Sequence, residues 1–263
     1  MDLKKICNDV IRIAGSTGEF ITNESDKFHI NQAVQKGLHD YVSYVDLEAE
    51  KKLVKELSGI VPGASFITEE GTVDESAGRY RWIIDPLDGT TNFIHGIPAY
   101  SISIALTDNH DIKLGVILDV SSGEMFWAYK DGGAWLNDKK ISVSEAGRLE
   151  DCLVATGFPF KDYNSLGNYM NCLEYFISNT QGVRRIGSAA IDLAYVACGR
   201  FDAFFEYGLN IWDVAAGIII ITEAGGIVSD YSGNRERLNG KEMIASNNSI
   251  YDTFSREVIR FMK

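Results

Sequence analysis

Asp85-Pro86-Leu87-Asp88-Gly89-Thr90-Thr91-Asn92-Phe93 is the segment of the chain best equipped for chemistry. Two aspartates three residues apart, on a turn stiffened by proline at the end of the apolar run Trp82-Ile83-Ile84, can aim both carboxylates at one point. Hard oxygen donors in such a cluster suit Mg²⁺, which takes octahedral coordination and keeps several waters and substrate oxygens. Gly89 lets the backbone approach a ligand, and Thr90-Thr91 can open a short helix whose free N–H groups bind phosphate. An ordinary strand-to-helix turn capped by Asp88 also fits these residues.

Other acids are weaker signals alone. Asp213, in Trp212-Asp213-Val214-Ala215-Ala216-Gly217, stands at the mouth of an apolar helix, where an N-cap is the simpler role. Glu69-Glu70 follows the short apolar stretch Phe66-Ile67 in a region that reads as a loop, and Asp46 reads as the N-cap of a helix. The four histidines, His29, His39, His95 and His110, are scattered, and no cysteine or serine of these motifs has a histidine beside it to act as base. A covalent intermediate is therefore not expected, and His95 is expected at the surface or in a supporting place. Trp82 and Trp212 are expected to be core anchors for the neighbouring aspartates.

Taken in order, the glutamate pair, Asp-Pro-Leu-Asp-Gly-Thr-Thr and Trp-Asp-Val-Ala-Ala-Gly resemble the inositol monophosphatase family of lithium-sensitive, magnesium-dependent phosphatases, from about Asp2 to the last helix. The resemblance implies that Glu69, Asp85 and the Leu87 carbonyl hold one Mg²⁺ and that Asp85, Asp88 and Asp213 hold a second, with two or three ions per site. It implies a catalytic group of Asp46, Thr90 and Glu69, in which Asp46 pairs with Thr90 to orient the attacking water. Substrate is expected against Glu69, Leu87, Asp88, Gly89, Thr90, Gly187, Ser188, Ala189, Glu206 and Asp213, the Gly187-Ser188-Ala189 stretch and Glu206 holding hydroxyls of the alcohol. Lys36-Gly37 matches a mobile loop that covers the site. Ser43 stands where threonine is usual, and Thr68 where glycine is commoner.

The implied reaction is hydrolysis of inositol 1-phosphate. Phosphoester hydrolysis needs an attacking oxygen in line with the leaving oxygen while charge on the phosphoryl group is neutralised. Two metals roughly 4 Å apart meet that need. Without them Glu69, Asp85, Asp88 and Asp213 would repel one another. The rival specificities are fructose 1,6-bisphosphate and 3′-phosphoadenosine 5′-phosphate, the latter disfavoured because Thr91-Asn92-Phe93, not lysine, follows the Asp-Gly-Thr. Arg184-Arg185 could contact a second phosphate or be an exposed pair. A silent regulatory protein that kept the fold is the alternative of another class.

The elements that must position these residues are legible in outline. Leu3, Ile6, Cys7, Val10, Ile11 and Ala14 fall at helical spacing, and Leu47–Leu57 reads as a second helix. A strand meander follows: the run ending at Asp85, then Ser101–Leu106, Lys113–Val120 and Glu124–Tyr129, the last two joined across Ser121-Ser122-Gly123. The second half alternates strands at Leu153–Thr156, Phe201–Glu206 and Ile227–Ser229 with helices at Leu166–Ile177, Ser188–Cys198, Trp212–Ala224 and Ile250–Met262. This predicts an α/β chain, in the family a layered αβαβα sandwich, with an N-terminal lobe over 1–145 and a C-terminal lobe over 146–263.

With 263 residues, 45% of them hydrophobic, the chain can bury such a core without staples. The net charge of −12 argues against nucleic acid as a partner. The longest apolar run, Val214–Ile221, is far shorter than the roughly 20 residues of a membrane span. No signal peptide is read at the start, and Cys7, Cys152, Cys172 and Cys198 lie far apart without a CxxC pair. These features suit a cytoplasmic protein, and the family adds the expectation of a homodimer.

Overall fold

Helix α1 (Leu3–Ser25) begins at Asp2, whose carboxylate accepts the Lys5 N–H at 3.0 Å. It runs well past Ala14 because Thr17, Gly18 and Ile21 continue its buried face at helical spacing. A two-stranded antiparallel ribbon, β1 (Val34–Gly37) and β2 (Asp40–Val42), leads into α2 (Tyr44–Leu57). The computed structural model describes residues 1–37, 40–73, 78–159, 163–236 and 238–263. The expected covering loop at Lys36-Gly37 contributes backbone to β1, but its side chains, like His39, lie outside the described residues.

The meander is a seven-stranded sheet. β3 (Ser65–Thr68) runs parallel to β4 (Tyr80–Asp88); the short α3 (Thr90–Ile94) follows β4. Then β5 (Ser101–Asp108), β6 (Asp111–Asp119), β7 (Glu124–Tyr129), β8 (Ala134–Leu136) and β9 (Lys139–Ile141) add in sequence, each antiparallel to the last. The turn between β6 and β7 is closed by Asp119, whose Oδ1 accepts the N–H groups of Ser121 and Ser122.

The second half forms a five-stranded sheet in the order β11-β10-β12-β14-β13. Along the chain come β10 (Leu153–Thr156), α4 (Leu166–Asn179), β11 (Gly182–Arg184), α5 (Ala189–Ala197), β12 (Ala203–Tyr207), α6 (Ile211–Glu223), β13 (Ile227–Ser229), β14 (Glu242–Ser246) and α7 (Tyr251–Met262). Helices α1 and α2 cover one face of the large sheet, α5 and α6 fill the space between the sheets, and α4 and α7 cover the far face of the small one. The order is α-β-α-β-α. The middle layer is apolar nearly all round, with Val214, Ala215, Ala216, Ile219, Ile220 and Ile221 of α6 buried, as a helix between two sheets must be.

Three apolar clusters hold the layers together, and Trp82, fully buried in the one beneath α1 and α2, anchors β4 a few residues before the aspartates. Cys7, Cys152 and Cys172 are buried free thiols pushed up to about 12 by burial, and Cys198 is a half-buried free one. Among the described residues no helix is long and apolar enough to cross a membrane.

Candidate metal and phosphate site

β4 does not end at Asp85. Asp85 pairs with Ser103 and Asp88 with Ser101, so Pro86 and Leu87 together oppose the single residue Ile102. That is a β-bulge, and it decides the geometry. In a regular strand, side chains three apart point to opposite faces; the extra residue returns Asp88 to the side of Asp85. Proline is tolerated there because the ladder is already interrupted. The Asp85 Oδ1 accepts the Leu87 N–H at 2.9 Å, which braces the bulge.

On the same side, Ser101 Oγ meets Ser188 Oγ at 3.0 Å, and Ser103 Oγ donates to the Trp212 carbonyl at 3.0 Å. These contacts bring the starts of α5 and α6 to the bulge. Asp213 is not the N-cap of α6. Asn210 is, and Asp213 sits three positions later, its Oδ2 accepting the Asn210 N–H at 2.6 Å in a capping box. One carboxylate oxygen each from Asp85, Asp88 and Asp213 lie within 4.8 Å of one another.

Glu69 joins from β3. Its N–H donates to the Ile84 carbonyl at 3.2 Å, extending the β3–β4 ladder by one residue and setting Glu69 beside Asp85, with which its side chain shares a hydrogen bond. Its Oε2 is buried without a partner among the described residues. Burial first, then the neighbouring Asp213, raises Glu69 well above the usual carboxylate range; burial and the charges of Glu69, Asp88 and Asp213 do the same to Asp85. Asp88 is raised to about 6 by burial, held from going higher by hydrogen bonds from Ser188 Oγ at 2.6 Å and the Ala190 N–H at 2.7 Å. Asp88 thus serves the start of α5, and does not cap α3, whose N-cap is Gly89.

Gly89 has φ +95°, and a Cβ there would lie 2.8 Å from the Ala99 carbonyl oxygen, so the position takes only glycine without strain. The Asn92 side chain donates to Ala99 at 2.7 Å and to Ile186 at 3.0 Å, tying the motif to the loop that carries Gly187.

Asp46 is likewise not the cap of its helix. Ser43 is the N-cap of α2; its hydroxyl takes the Val45 N–H, and Asp46 Oδ2 receives the Ser43 N–H at 2.8 Å and the Ser43 hydroxyl at 2.6 Å. The serine found where threonine is usual therefore fills the capping role. Asp46 Oδ1 meets Thr90 Oγ1 at 3.0 Å, and the same hydroxyl lies 3.0 Å from the Leu87 carbonyl. Burial raises Asp46 and these hydrogen bonds oppose the rise.

All the expected site residues but one line a single cleft of about 290 Å³. The exception is Asp46, fully buried behind Thr90, so it reaches the cleft only through the Thr90 hydroxyl. A larger groove of about 780 Å³ runs between β3, β4 and α6, but it contains none of these acids. His95 is exposed and outside the cleft. Sequence reasoning missed Asp192 and Gly157, which also line it, as does Arg185 of the Arg184-Arg185 pair. Asp192 carried a signal: it is the single acid in the otherwise apolar run Ala189–Ala197.

A profile of the inositol monophosphatase family matches residues 2–260. The chain belongs to this family. It is 41% identical over 254 residues to the Nus factor SuhB of Pseudomonas aeruginosa, covering 95% of this chain and 94% of that protein. It is 41% identical over 246 residues to the inositol-1-monophosphatase of Mesorhizobium japonicum, covering 93% of this chain and 92% of the relative. The extragenic suppressor protein suhB of Bartonella henselae superposes with a TM-score of 0.89 at 41% identity, over 95% of this chain and 97% of that one. Membership accounts for the layered fold and makes the acidic cluster a place where a phosphatase of this family could hold a metal.

Proposed function

We propose that the chain is a Mg²⁺-dependent phosphomonoesterase that hydrolyses inositol 1-phosphate to inositol and phosphate. The observation that carries this reading is the convergence of the Asp85, Asp88 and Asp213 oxygens within 4.8 Å. Beside them stands a buried Glu69 whose Oε2 has no partner among the described residues. Such a donor set, all hard oxygen and crowded with unbalanced negative charge, fits two or three Mg²⁺ ions held by Glu69, Asp85, the Leu87 carbonyl, Asp88 and Asp213. Bound Mg²⁺ would supply the positive charge that an acidic cleft lacks when a phosphate dianion enters and its ester bond breaks.

The chain's own residues do the rest. Thr90, held by Asp46, orients the attacking water, with Glu69 on the other side; the backbone of Gly89 and Thr90 receives the phosphate. Gly187, Ser188, Ala189 and Glu206 take the hydroxyls of the alcohol. The division into lobes over 1–145 and 146–263 belongs to this reading, supported by the large sheet ending at Ile141 and the small one starting at Leu153. So do lithium sensitivity, a cytoplasmic location, no nucleic-acid partner and a homodimer, the last supported by the exposed Leu166, Met170 and Ile177 on α4.

The test is phosphate release with and without Mg²⁺ from inositol 1-phosphate, fructose 1,6-bisphosphate and 3′-phosphoadenosine 5′-phosphate, with Asp85→Asn as control. Magnesium-dependent turnover that prefers inositol 1-phosphate and is lost in the control is expected. Preference for either other ester would move the assignment to that sister activity. A second reading, a silent regulatory protein that kept the fold, follows the relatives named Nus factor: no turnover of any ester by a chain that still binds Mg²⁺ would favour it.

A further inference from the structure

Helix α5 opens with buried apolar residues on every side of one carboxyl: Ala189, Ala190, Ile191, Leu193 and Ala194 surround Asp192, which is itself 1% exposed. Burying a carboxyl in such company is costly unless something receives it. Asp192 stands one turn beyond Ser188, its N–H on the Ser188 carbonyl at 3.0 Å. Helical side chains lean toward the N-terminus, so its carboxyl lies over the turn that carries Ser188 and Ala189 and lines the cleft. Its Oδ1 has no hydrogen-bond partner among the described residues.

β12 delivers a second buried carboxyl to the same cleft, Glu206, packed so closely on Gly157 that a Cβ at 157 would overlap it. Arg185, whose guanidinium lies 5.6 Å from the centre of the Phe158 ring, is the sole basic side chain among the described residues that line the cleft. Two acceptor-only groups facing one guanidinium leave this end of the cleft short of donors. Both carboxyls are raised well above their ordinary values, chiefly by burial, and then by the charge of Glu206 on Asp192 and of Asp213 on Glu206.

We propose that Asp192 is a specificity-determining residue which, with Glu206, forms a two-carboxyl floor for adjacent hydroxyl groups of the alcohol portion of the substrate. One acceptor orients an alcohol; two side by side select a polyol over an ester whose leaving group carries no hydroxyl. The assignment rests on the phosphatase reading. If Asp192 served only as the acid in the first turn of α5, its removal would cost stability or harm all substrates alike.

The experiment compares wild type with Asp192→Asn and Asp192→Ala on inositol 1-phosphate and phenyl phosphate at saturating Mg²⁺. The ratio of the two kcat/KM values is expected to fall ~10–100-fold, carried by the KM for the polyol ester and larger for alanine. An unchanged ratio, whether both activities fall together or neither does, overturns the proposal. Calorimetric titration of free inositol in the presence of Mg²⁺ and inorganic phosphate gives a readout independent of turnover. Weaker inositol binding by the variants supports the assignment even if wild type cleaves neither ester, a result that would sink the phosphatase reading alone. Equal binding, or none by wild type, overturns the role of Asp192.

Discussion

Replacing Asp46 by asparagine separates the two tasks of that carboxyl. Oδ2 takes two bonds from Ser43, at 2.8 and 2.6 Å, whereas Oδ1 faces Thr90 Oγ1 at 3.0 Å. Thr90 has one hydroxyl proton and two acceptors at 3.0 Å, Asp46 and the Leu87 carbonyl, and cannot serve both. An asparagine that keeps its oxygen toward Ser43 retains the cap of α2 and turns its NH₂ toward Thr90. The hydroxyl must then donate to Leu87 and accept from the amide, which occupies one of its two lone pairs and turns its proton away from residue 46. The capping bonds lose only their charge assistance, about 1 kcal/mol, which for a chain of this size lowers Tm by ~2–4 °C. Turnover loses the water-orienting unit, a factor of ~10²–10⁴. Phosphate release at saturating Mg²⁺ and substrate, beside a thermal melt, measures both. Thr90→Ser, which keeps the hydroxyl, should stay within ~10-fold of wild type, while Thr90→Val should match Asp46→Asn. An Asp46→Asn enzyme with more than a tenth of wild-type kcat would refute the dyad, and one that melts far lower would refute the capping account.

Two further outcomes follow from the site. Glu69, Asp85 and Asp88 have raised folded-state values, Asp88 moving from 3.8 to about 6, so in that window the folded metal-free protein binds more protons than the unfolded chain. The site's contribution to stability is then greatest at low pH and is lost as pH rises through about 6, while Mg²⁺ binding expels protons and stabilises more as pH increases. Calorimetric Mg²⁺ titrations at one pH in two buffers of different protonation enthalpy should differ by the expelled protons, and identical heats would contradict the shifts. Gly89→Ala adds a Cβ at φ +95°, 2.8 Å from the Ala99 carbonyl oxygen, and should cost ~1–3 kcal/mol and at least ~10-fold in turnover. Wild-type melting and kinetics in that variant would show that the turn is not held as described.

The acids of the long motifs were readable because they flank a proline turn and a helix start, and the main helices because their apolar faces repeat over several turns. The bulge was not readable: pairing to Ser101 and Ser103 carries β4 on to Asp88, which no local pattern announces. Asp46 and Asp213 were each placed three residues too early in their helices. The signature was present, since Ser43-Tyr44-Val45-Asp46 and Asn210-Ile211-Trp212-Asp213 both have the cap-x-x-acid spacing, with aspartate where glutamate or glutamine is usual. Strands β3, β8, β9, β11 and β14 escaped because three to five residues are too few for alternation to be counted, and β14 in addition takes its place from pairing with β12 and β13, distant in sequence. Asp192 escaped because only the meeting of α5, β12 and the loop after β11 brings it to the cleft, and the same meeting places Arg185, of the pair Arg184-Arg185, beside it.

The acids in and behind the cleft are held by two different devices, and the difference bears on where a cation would act. Asp46, Asp88 and Asp213 each accept a backbone N–H at or before the first turn of a helix, from Ser43 at α2, Ala190 at α5 and Asn210 at α6. Helix starts offer unpaired N–H groups and the positive end of the dipole, so three negative charges can be gathered there by the fold itself. Glu69 and Asp85 stand instead on neighbouring strands of a sheet, which has little net dipole to offer, and share a hydrogen bond with each other while one Glu69 oxygen has no partner among the described residues. Charge left unbalanced by the chain is therefore concentrated on the strand-borne pair, on the side of the cleft where the Leu87 carbonyl also lies. A cation bound at that pair would relieve repulsion that the helix starts do not offset.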